Sequence, residues 1–211
     1  MEIIRFADIR PEPWRNGGGV TRELARHPAA ASAQGGSTQD GSWDWRVSIA
    51  EVSTAGEFST FPGMERVITI IDGELLLLTV DGSEHPLEKY RPFRFSGEAA
   101  SASSLPTGDV RDLNVIARTG AFKGYTSIVE ISKKRAHPVF EGQLAVLLEG
   151  KATVAPGTLG ENTPDGGPAP TSAGEPLELS RYDTVVGSDT RSPEISGRGF
   201  IAVISIDPVD A

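Results

Sequence analysis

Short apolar runs separated by glycine and proline constrain the fold of this 211-residue chain more than any other feature. Residues 46–52 alternate polar and apolar side chains, which is typical of a strand with one buried face. Residues 67–71 and 75–80 flank an Asp-Gly pair at 72–73, which predicts a short hairpin. No long stretch repeats apolar residues at helical spacing. The pattern therefore predicts an all-β protein, a sandwich or barrel.

Two halves of the chain carry the same order of sequence features. Each half has an apolar run, an acidic residue followed by glycine, and a Pro-Leu-Glu triplet whose proline precedes a later glycine by 11 positions. These segments are 86–97 in the first half and 176–187 in the second. We predict two related β units, at residues 1–122 and 123–211, as expected of a duplicated small barrel.

Composition narrows the classes of function. The formal charge of −9 argues against a nucleic-acid-binding protein, which would carry a basic face. The absence of cysteine excludes disulfides, thiolate metal sites and cysteine nucleophiles, and it fits a reducing compartment. Residues 1–10 lack the apolar region of a secretory signal, and no apolar run could span a bilayer. We therefore expect a soluble cytoplasmic protein without membrane contact. Residues 28–41 and 156–174 are rich in small and polar residues, which predicts solvent-exposed loops.

The three histidines give no metal-binding pattern. His27, His85 and His137 each precede a proline, and no two of them lie two apart on one strand, the spacing that points two ligands to the same side. Histidines at turns or strand ends are the favoured interpretation, and a site built from all three is the alternative. We predict no metal and no cofactor. The chain also lacks a nucleophilic serine elbow, and no catalytic residue is predicted.

Residues 14–23, with the sequence WRNGGGVTRE, hold the densest recognition chemistry. Their glycines can adopt positive φ, but their spacing matches neither common phosphate-binding glycine motif. A glycine-rich bend between strands is the structural alternative. The flanking polar and aromatic groups favour a bend whose side chains and backbone N–H groups contact a ligand. Thr21 and Glu23 point to one side of the strand and Arg22 to the other.

A second candidate face lies on the strand predicted at 46–52. Arg46, Ser48 and Ala50 share one side of this strand because successive side chains alternate. If that side lines a barrel interior, Arg46 needs a carboxylate from the protein or from a ligand. A strand whose arginine lies in solvent is the alternative.

Five blocks of sequence resemble the HutD/Ves family, in that family's order. They cover residues 14 to about 118, and the second half of the chain matches only in outline. Leu113 stands where phenylalanine is common, which is a conservative departure. The blocks are Trp14-Arg15-Asn16-Gly17-Gly18-Gly19-x-Thr21-Arg22-Glu23, Trp45-Arg46-x-Ser48-x-Ala50, Gly56-x-Phe58-Ser59-x-Phe61-Pro62-Gly63-x-x-Arg66, Pro92-Phe93-x-Phe95 with Gly97, and Asp112-Leu113-Asn114-Val115-Ile116-x-Arg118.

The resemblance implies a bicupin, which is two jelly-roll-type β-barrels in one chain, without the metal-binding histidines of enzymatic cupins. It implies a bacterial protein associated with histidine utilisation, with a regulatory or ligand-sensing role and no assigned enzymatic activity. The implied ligand is a small carboxylate metabolite such as formylglutamate or urocanate. The implied ligand-binding residues are Asn16, Thr21, Arg22, Arg46, Ser48, Arg66, Asp112 and Asn114.

Three hypotheses about function follow. The first is a non-enzymatic bicupin that binds an anionic metabolite through Arg22, Arg46 or Arg66. The second is a metal-independent isomerase or hydrolase acting on a histidine-pathway intermediate. Its candidate acids or bases are Glu23, Asp112 and His85. The third is a structural salt-bridge network that ties the N-terminal strand to the first barrel. By analogy with cupin-type barrels, which often pair through sheet edges, a homodimer is an expectation.

Overall fold

The computed structural model describes residues 1–28, 43–157 and 175–209. Within these ranges the regular structure is one 3₁₀ helix at Phe6–Asp8 and seventeen β-strands, which confirms the all-β prediction. The strands are β1 (Glu2–Ile4), β2 (Glu12–Pro13), β3 (Gly19–His27), β4 (Trp45–Val52), β5 (Gly56–Glu57), β6 (Met64–Asp72), β7 (Leu75–Val80), β8 (Ser83–Glu88), β9 (Phe93–Ser96), β10 (Ser101–Ser104), β11 (Val110–Arg118), β12 (Phe122–Ile131), β13 (His137–Pro138), β14 (Gln143–Ala155), β15 (Leu177–Leu179), β16 (Thr184–Val186) and β17 (Glu194–Pro208).

The predicted loops at 28–41 and 156–174 fall almost entirely outside the described residues. In the described part of the chain, no helix has the length and apolar character that crossing a membrane requires.

The chain divides into two compact units. The first unit comprises Asp8–Ser127 and the residues from Ile204 onward, and the second comprises Met1–Ala7 and Ile128–Val203. The predicted division at residue 122 differs from this at both chain ends. The N-terminal strand β1 pairs with β16 of the second unit, and near the other terminus Val209 donates a backbone hydrogen bond to Ala121 of the first unit at 2.9 Å.

The first unit contains two antiparallel sheets. The six-stranded sheet has the order β2-β3-β4-β11-β6-β9, and the four-stranded sheet has the order β5-β10-β7-β8. One apolar cluster joins the sheets, and full burial of each of its aliphatic side chains stabilises by roughly 1.5–3 kcal/mol. Its buried members are Ala50, Val52, Ile68, Ile70, Leu76, Leu78, Leu87, Phe95 and Val110.

The hairpin predicted at residues 72–73 is wrong. The strands on either side, β6 and β7, belong to different sheets, so the turn carries the chain from one sheet to the other. The hairpin forms one strand later, where β7 pairs with β8 across Asp81 and Gly82. These two residues have φ values of 46° and 83°, and positive φ at both central positions is what a type I′ hairpin turn requires.

The two units share backbone features in the same order. The turns at 61–64 and 140–143 each close with a 3.1 Å hydrogen bond from the fourth N–H to the first carbonyl. The third residue of each turn is a glycine with positive φ, 73° in one and 75° in the other. Later in each unit, the N–H of Gly97 or Gly187 donates to the carbonyl of the fourth turn residue, at 2.8 and 2.9 Å. These shared contacts support the predicted duplication.

Strand register makes Ala145 the counterpart of Arg66. Arg66 pairs with Phe95, which lies two positions before Gly97. Ala145 pairs with Val185, which lies two positions before Gly187. The alanine belongs to the apolar core of the second unit, and the arginine of the first unit is buried as well. The two units therefore share a backbone frame but differ in the chemistry of its interior.

We expect Gly19→Ala to destabilise the protein more than Gly82→Ala. A methyl group on Gly19 would lie 2.3 Å from the carbonyl oxygen of Glu51 on the neighbouring strand, so the backbone must shift. At Gly82 the methyl group meets nothing within 4 Å, and only the positive φ is unfavourable. Chemical denaturation should show losses of about 3 kcal/mol for Gly19→Ala and about 1 kcal/mol for Gly82→Ala. Equal losses would contradict the close approach of β3 to β4.

Candidate functional site

One face of the six-stranded sheet changes from apolar to polar along its strands. In β4, β11 and β6 the residues on this face alternate with residues on the opposite face, and the register places them side by side. They are Val52, Ala50, Ser48 and Arg46 on β4, Val110, Asp112, Asn114 and Ile116 on β11, and Ile70, Ile68 and Arg66 on β6. The apolar end joins the core of the first unit, and the polar end lines a cavity.

The cavity has a volume of about 530 Å³, which suits a small metabolite. Its walls come from the polar end of the sheet, the bend before β3 and the segment 57–61. Seven of the eight predicted ligand-binding residues line it: Asn16, Thr21, Arg46, Ser48, Arg66, Asp112 and Asn114. The structure thus brings together residues from four separate stretches of sequence.

Arg22 lies outside the cavity, contrary to the prediction. Its guanidinium pairs with the carboxylate of Glu51, to which Arg111 also donates at 3.2 Å. Because successive side chains of a strand point to opposite faces, Thr21 reaches the cavity and its neighbour Arg22 lies on the other side of the sheet. Arg22 is part of a partly buried ion-pair network with Glu51 and Arg111.

Arg66 is the most deeply buried cation of the site, with 5% of its surface exposed. Its Nη2 donates to Asn114 Oδ1 at 2.9 Å, and its Nη1 donates to the carbonyl of Ser59 at 3.4 Å. The guanidinium carbon lies 4.9–5.5 Å from three ring centroids, within cation–π range. Those rings belong to Phe58, Phe61 and Phe95. Burial nevertheless lowers the pKa of Arg66 to about 10, and the nearby Asp112 offsets part of that decrease.

Asp112 is the buried acid of the site, with 1% of its surface exposed. Its Oδ1 accepts a hydrogen bond from Asn114 Nδ2, while its Oδ2 has no hydrogen-bond partner among the described residues. Burial raises the pKa of Asp112 to about 7, because desolvation outweighs the opposing effects of Arg66 and Asn114. This carboxyl therefore exchanges a proton close to neutral pH.

Arg46 is the second cation of the cavity. Its guanidinium carbon lies 5.0 Å from the ring of Trp43 and 5.4 Å from that of Phe61. Its Nε is buried and has no hydrogen-bond partner in the described part of the chain. Burial lowers the pKa of Arg46, and the charges of Glu23 and Glu12 partly offset this effect. An arginine still carries its charge at neutral pH, so this cavity-lining side chain holds a buried donor that the described residues leave unsatisfied.

At the glycine bend, the N–H groups of Gly17 and Gly18 form hydrogen bonds within the bend itself. The N–H of Gly17 donates to the carbonyl of Trp14 at 3.0 Å, and that of Gly18 donates to Asn16 Oδ1 at 3.0 Å. The expectation that these backbone groups reach a ligand is therefore wrong for both glycines. Thr21 is held in place by the indole N–H of Trp14, which donates to its hydroxyl at 2.8 Å.

Two of the three candidate acids or bases do not line the cavity. Glu23 lies 3.3 Å from Arg26 Nε, and burial raises the pKa of Glu23. The His85 ring packs against Phe93 with 4.7 Å between centroids. Asp112 is the member of the three that faces the cavity. Across the described ranges, no group of three or more histidine, cysteine, aspartate or glutamate side chains is placed to hold a metal ion.

Sequence reasoning missed several lining residues. Ile116 could have been found by extending the period-two series of Asp112 and Asn114, since it shares their face. Glu12 and Glu57 gave no signal, because acidic residues in charged segments usually face solvent. The missed lining residues are Glu12, Pro13, Arg15, Glu57, Ser59 and Ile116.

Comparison with known proteins adds a family and a fold. The HutD family model matches residues 6–203. Protein Ves of Escherichia fergusonii is 39% identical over 132 residues, which cover 60% of this chain and 64% of Ves. The match thus spans less than two thirds of that curated relative.

Solved structures resemble the chain over nearly its whole length. HutD from Pseudomonas fluorescens SBW25, in a formate condition, has 27% identity and a TM-score of 0.70 with 99% of both chains covered. A cupin 2 conserved barrel domain protein from Leptotrichia buccalis has 8% identity and a TM-score of 0.57, with 98% of this chain and 96% of that chain covered. The second likeness concerns the fold alone, which is cupin-like.

We expect Asp112→Asn to stabilise the protein more at pH 8 than at pH 5. In the folded protein the pKa of Asp112 is about 7, whereas in the unfolded chain it lies near the ordinary value of 3.8. The wild type therefore loses stability as pH rises between these values, by up to about 4 kcal/mol, and the neutral amide removes this loss. Urea denaturation at a series of pH values measures the effect.

Asp109→Asn is the matched control, because Asp109 is an exposed carboxylate just before the same strand. The free energy of unfolding of this variant, plotted against pH, should run parallel to that of the wild type. Parallel profiles for Asp112→Asn and the wild type would contradict the raised pKa of Asp112.

Proposed function

The chain belongs to the HutD family, and on that premise we propose that the cavity of its first unit binds a small carboxylate metabolite. The observation that carries the proposal is the pair of guanidinium groups, Arg46 and Arg66, whose buried Nε atoms have no hydrogen-bond partner in the described residues. A buried donor without a partner is unfavourable, and a bound carboxylate would satisfy both. The aromatic rings around the two guanidinium groups keep them desolvated, which strengthens such a contact.

The charge of the site favours a monoanionic group over phosphate. Asp112 lies beside Arg66 and is partly ionised at neutral pH, so a single doubly charged group such as phosphate would meet a negative charge there. A carboxylate carries half that charge, and its planar fork matches a guanidinium. Formate is the smallest such group, and the structure of HutD from Pseudomonas fluorescens was obtained in a formate condition.

The biological part of the proposal rests on the family. We propose a non-enzymatic cytoplasmic bicupin that senses or regulates histidine utilisation, with a ligand of the formylglutamate or urocanate type. The side chains proposed to hold the ligand are Asn16, Thr21, Arg46, Ser48, Arg66, Asp112 and Asn114.

A metal-independent enzyme is the second candidate, and Asp112 favours it. A cavity carboxyl whose pKa lies near neutral pH can act as a general acid or base. Such an enzyme would convert a histidine-pathway intermediate in the presence of a chelator. Asp112→Asn would then abolish turnover while substrate still binds. The internal-network hypothesis is weaker, because only Arg22 of the three arginines has an ion pair with a carboxylate among the described residues. Arg46 and Arg66 line the cavity instead.

Arg46→Met should weaken carboxylate binding by about 10- to 100-fold. The variant keeps a flexible apolar stem but removes the guanidinium, and with it a charged hydrogen bond of about 1.5–3 kcal/mol. A thermal-shift panel of formate, glutamate, urocanate and formylglutamate identifies a ligand, and titration calorimetry then compares the variants. A ligand at 100 times its Kd should stabilise the wild type by about 2.7 kcal/mol.

Arg22→Met is the control for that experiment, because it removes the same charge from the opposite side of the sheet. Its carboxylate affinity should match that of the wild type. If no member of the panel stabilises the wild type at millimolar concentration, or if both variants lose affinity equally, the cavity is not the carboxylate site.

A further inference from the structure

We infer that the ligand of this cavity carries a hydrogen-bond donor, such as an amide N–H, in addition to its carboxylate, and that Asp112 Oδ2 accepts that donor. This inference rests on the proposed function, since it concerns the same cavity. It assigns Asp112 to ligand selection.

The amide of Asn114 separates the two buried charges. Its Oδ1 accepts from Arg66 Nη2 at 2.9 Å, and its Nδ2 donates to Asp112 Oδ1. Arg66 and Asp112 therefore interact through a bridging amide rather than through a direct ion pair. One acceptor, Asp112 Oδ2, and one donor, Arg66 Nε, are left buried without partners among the described residues.

A ligand whose only polar group is a carboxylate would pair with the unpaired donor, Arg66 Nε, but not with the unpaired acceptor, Asp112 Oδ2. Its oxygens can accept from Arg66 and Arg46, but they would repel an ionised Asp112. A ligand that also donates a hydrogen bond gives Asp112 Oδ2 its missing partner and uses the negative charge of Asp112 favourably. A site built to bond a donor strongly rejects the analogue that lacks it, because its buried acceptor is then left unpaired.

The protonation of Asp112 sets how this selection changes with pH. Arg66 on β6 and Asn114 on β11 are the groups that act on it directly, and Arg46 on β4 acts on Arg66. The other charged side chains of the cavity lining are Glu12, Arg15 and Glu57. The ionised carboxyl only accepts hydrogen bonds, whereas the protonated carboxyl can donate one to a ligand oxygen.

Two isosteric probes test the inference. N-acetylglycine carries a carboxylate and an amide N–H, and acetoxyacetate replaces that N–H by an ester oxygen. Calorimetric titration of the wild type at pH 8 should show at least tenfold tighter binding of N-acetylglycine. At pH 5.5 both probes stay ionised while Asp112 is mostly protonated, so the preference should shrink to less than threefold.

Variants at residue 112 assign the preference to its carboxyl. Asp112→Asn should remove the pH dependence of the preference, and Asp112→Leu should remove the preference at both pH values. The exposed Asp109→Asn variant should keep the wild-type preference and its pH dependence. Carboxylate binding that persists in both variants at residue 112 guards against a fold defect in either one.

The outcomes separate this inference from the proposed function. Equal affinity for the two probes at both pH values, or tighter binding of the ester at pH 8, overturns the role of Asp112 but leaves carboxylate binding in place. If neither probe binds at 10 mM, roughly the limit of weak binding for a ligand of this size, this inference fails, and the thermal-shift panel decides whether the proposed function fails with it.

Discussion

Antiparallel pairing of β4, β11 and β6 is the constraint on which the rest of the first unit depends. The side chains of these strands alternate, so a single register decides what faces the four-stranded sheet and what faces the cavity. Val52 and Val110 enter the core, while Ser48 and Asn114 meet at the polar end of the same face. A shift of one residue in this register would bring the other face of the strand inward and dismantle core and cavity together.

At the polar end of this face, the cost of burying charges opposes the attraction between them. Burial disfavours the charges of Arg66 and Asp112, and their mutual attraction only partly offsets that penalty. Asn114 bonds to both, and phenyl rings surround the arginine. The second unit has Ala145 at the position of Arg66, inside an apolar core. A hydrophobic filling of the same frame is therefore available, which supports a ligand-related reason for burying charged groups in the first unit.

Much of this arrangement was predictable from the sequence, and the failures have physical causes. Period-two alternation placed Arg46 and Ser48 on one face, and the resemblance to a family supplied Arg66, Asp112 and Asn114. The resemblance also implies a ligand-binding role for Arg22, whereas the alternation of Arg22 with Thr21 predicts that Arg22 points to the other side of the strand. The hairpin at residues 72–73 failed because a turn motif specifies a local bend, not whether the next strand pairs within the same sheet.

The sequence by itself determined the all-β class, the duplicated order of elements and the residues that share a strand face, because these follow from local periodicity and turn chemistry. The tertiary structure alone decided which face lines a cavity, how the chain ends are divided between the units, and how far the pKa of Asp112 rises. Those properties depend on the register of strands distant in sequence and on the depth of burial. No local pattern of residues specifies either one.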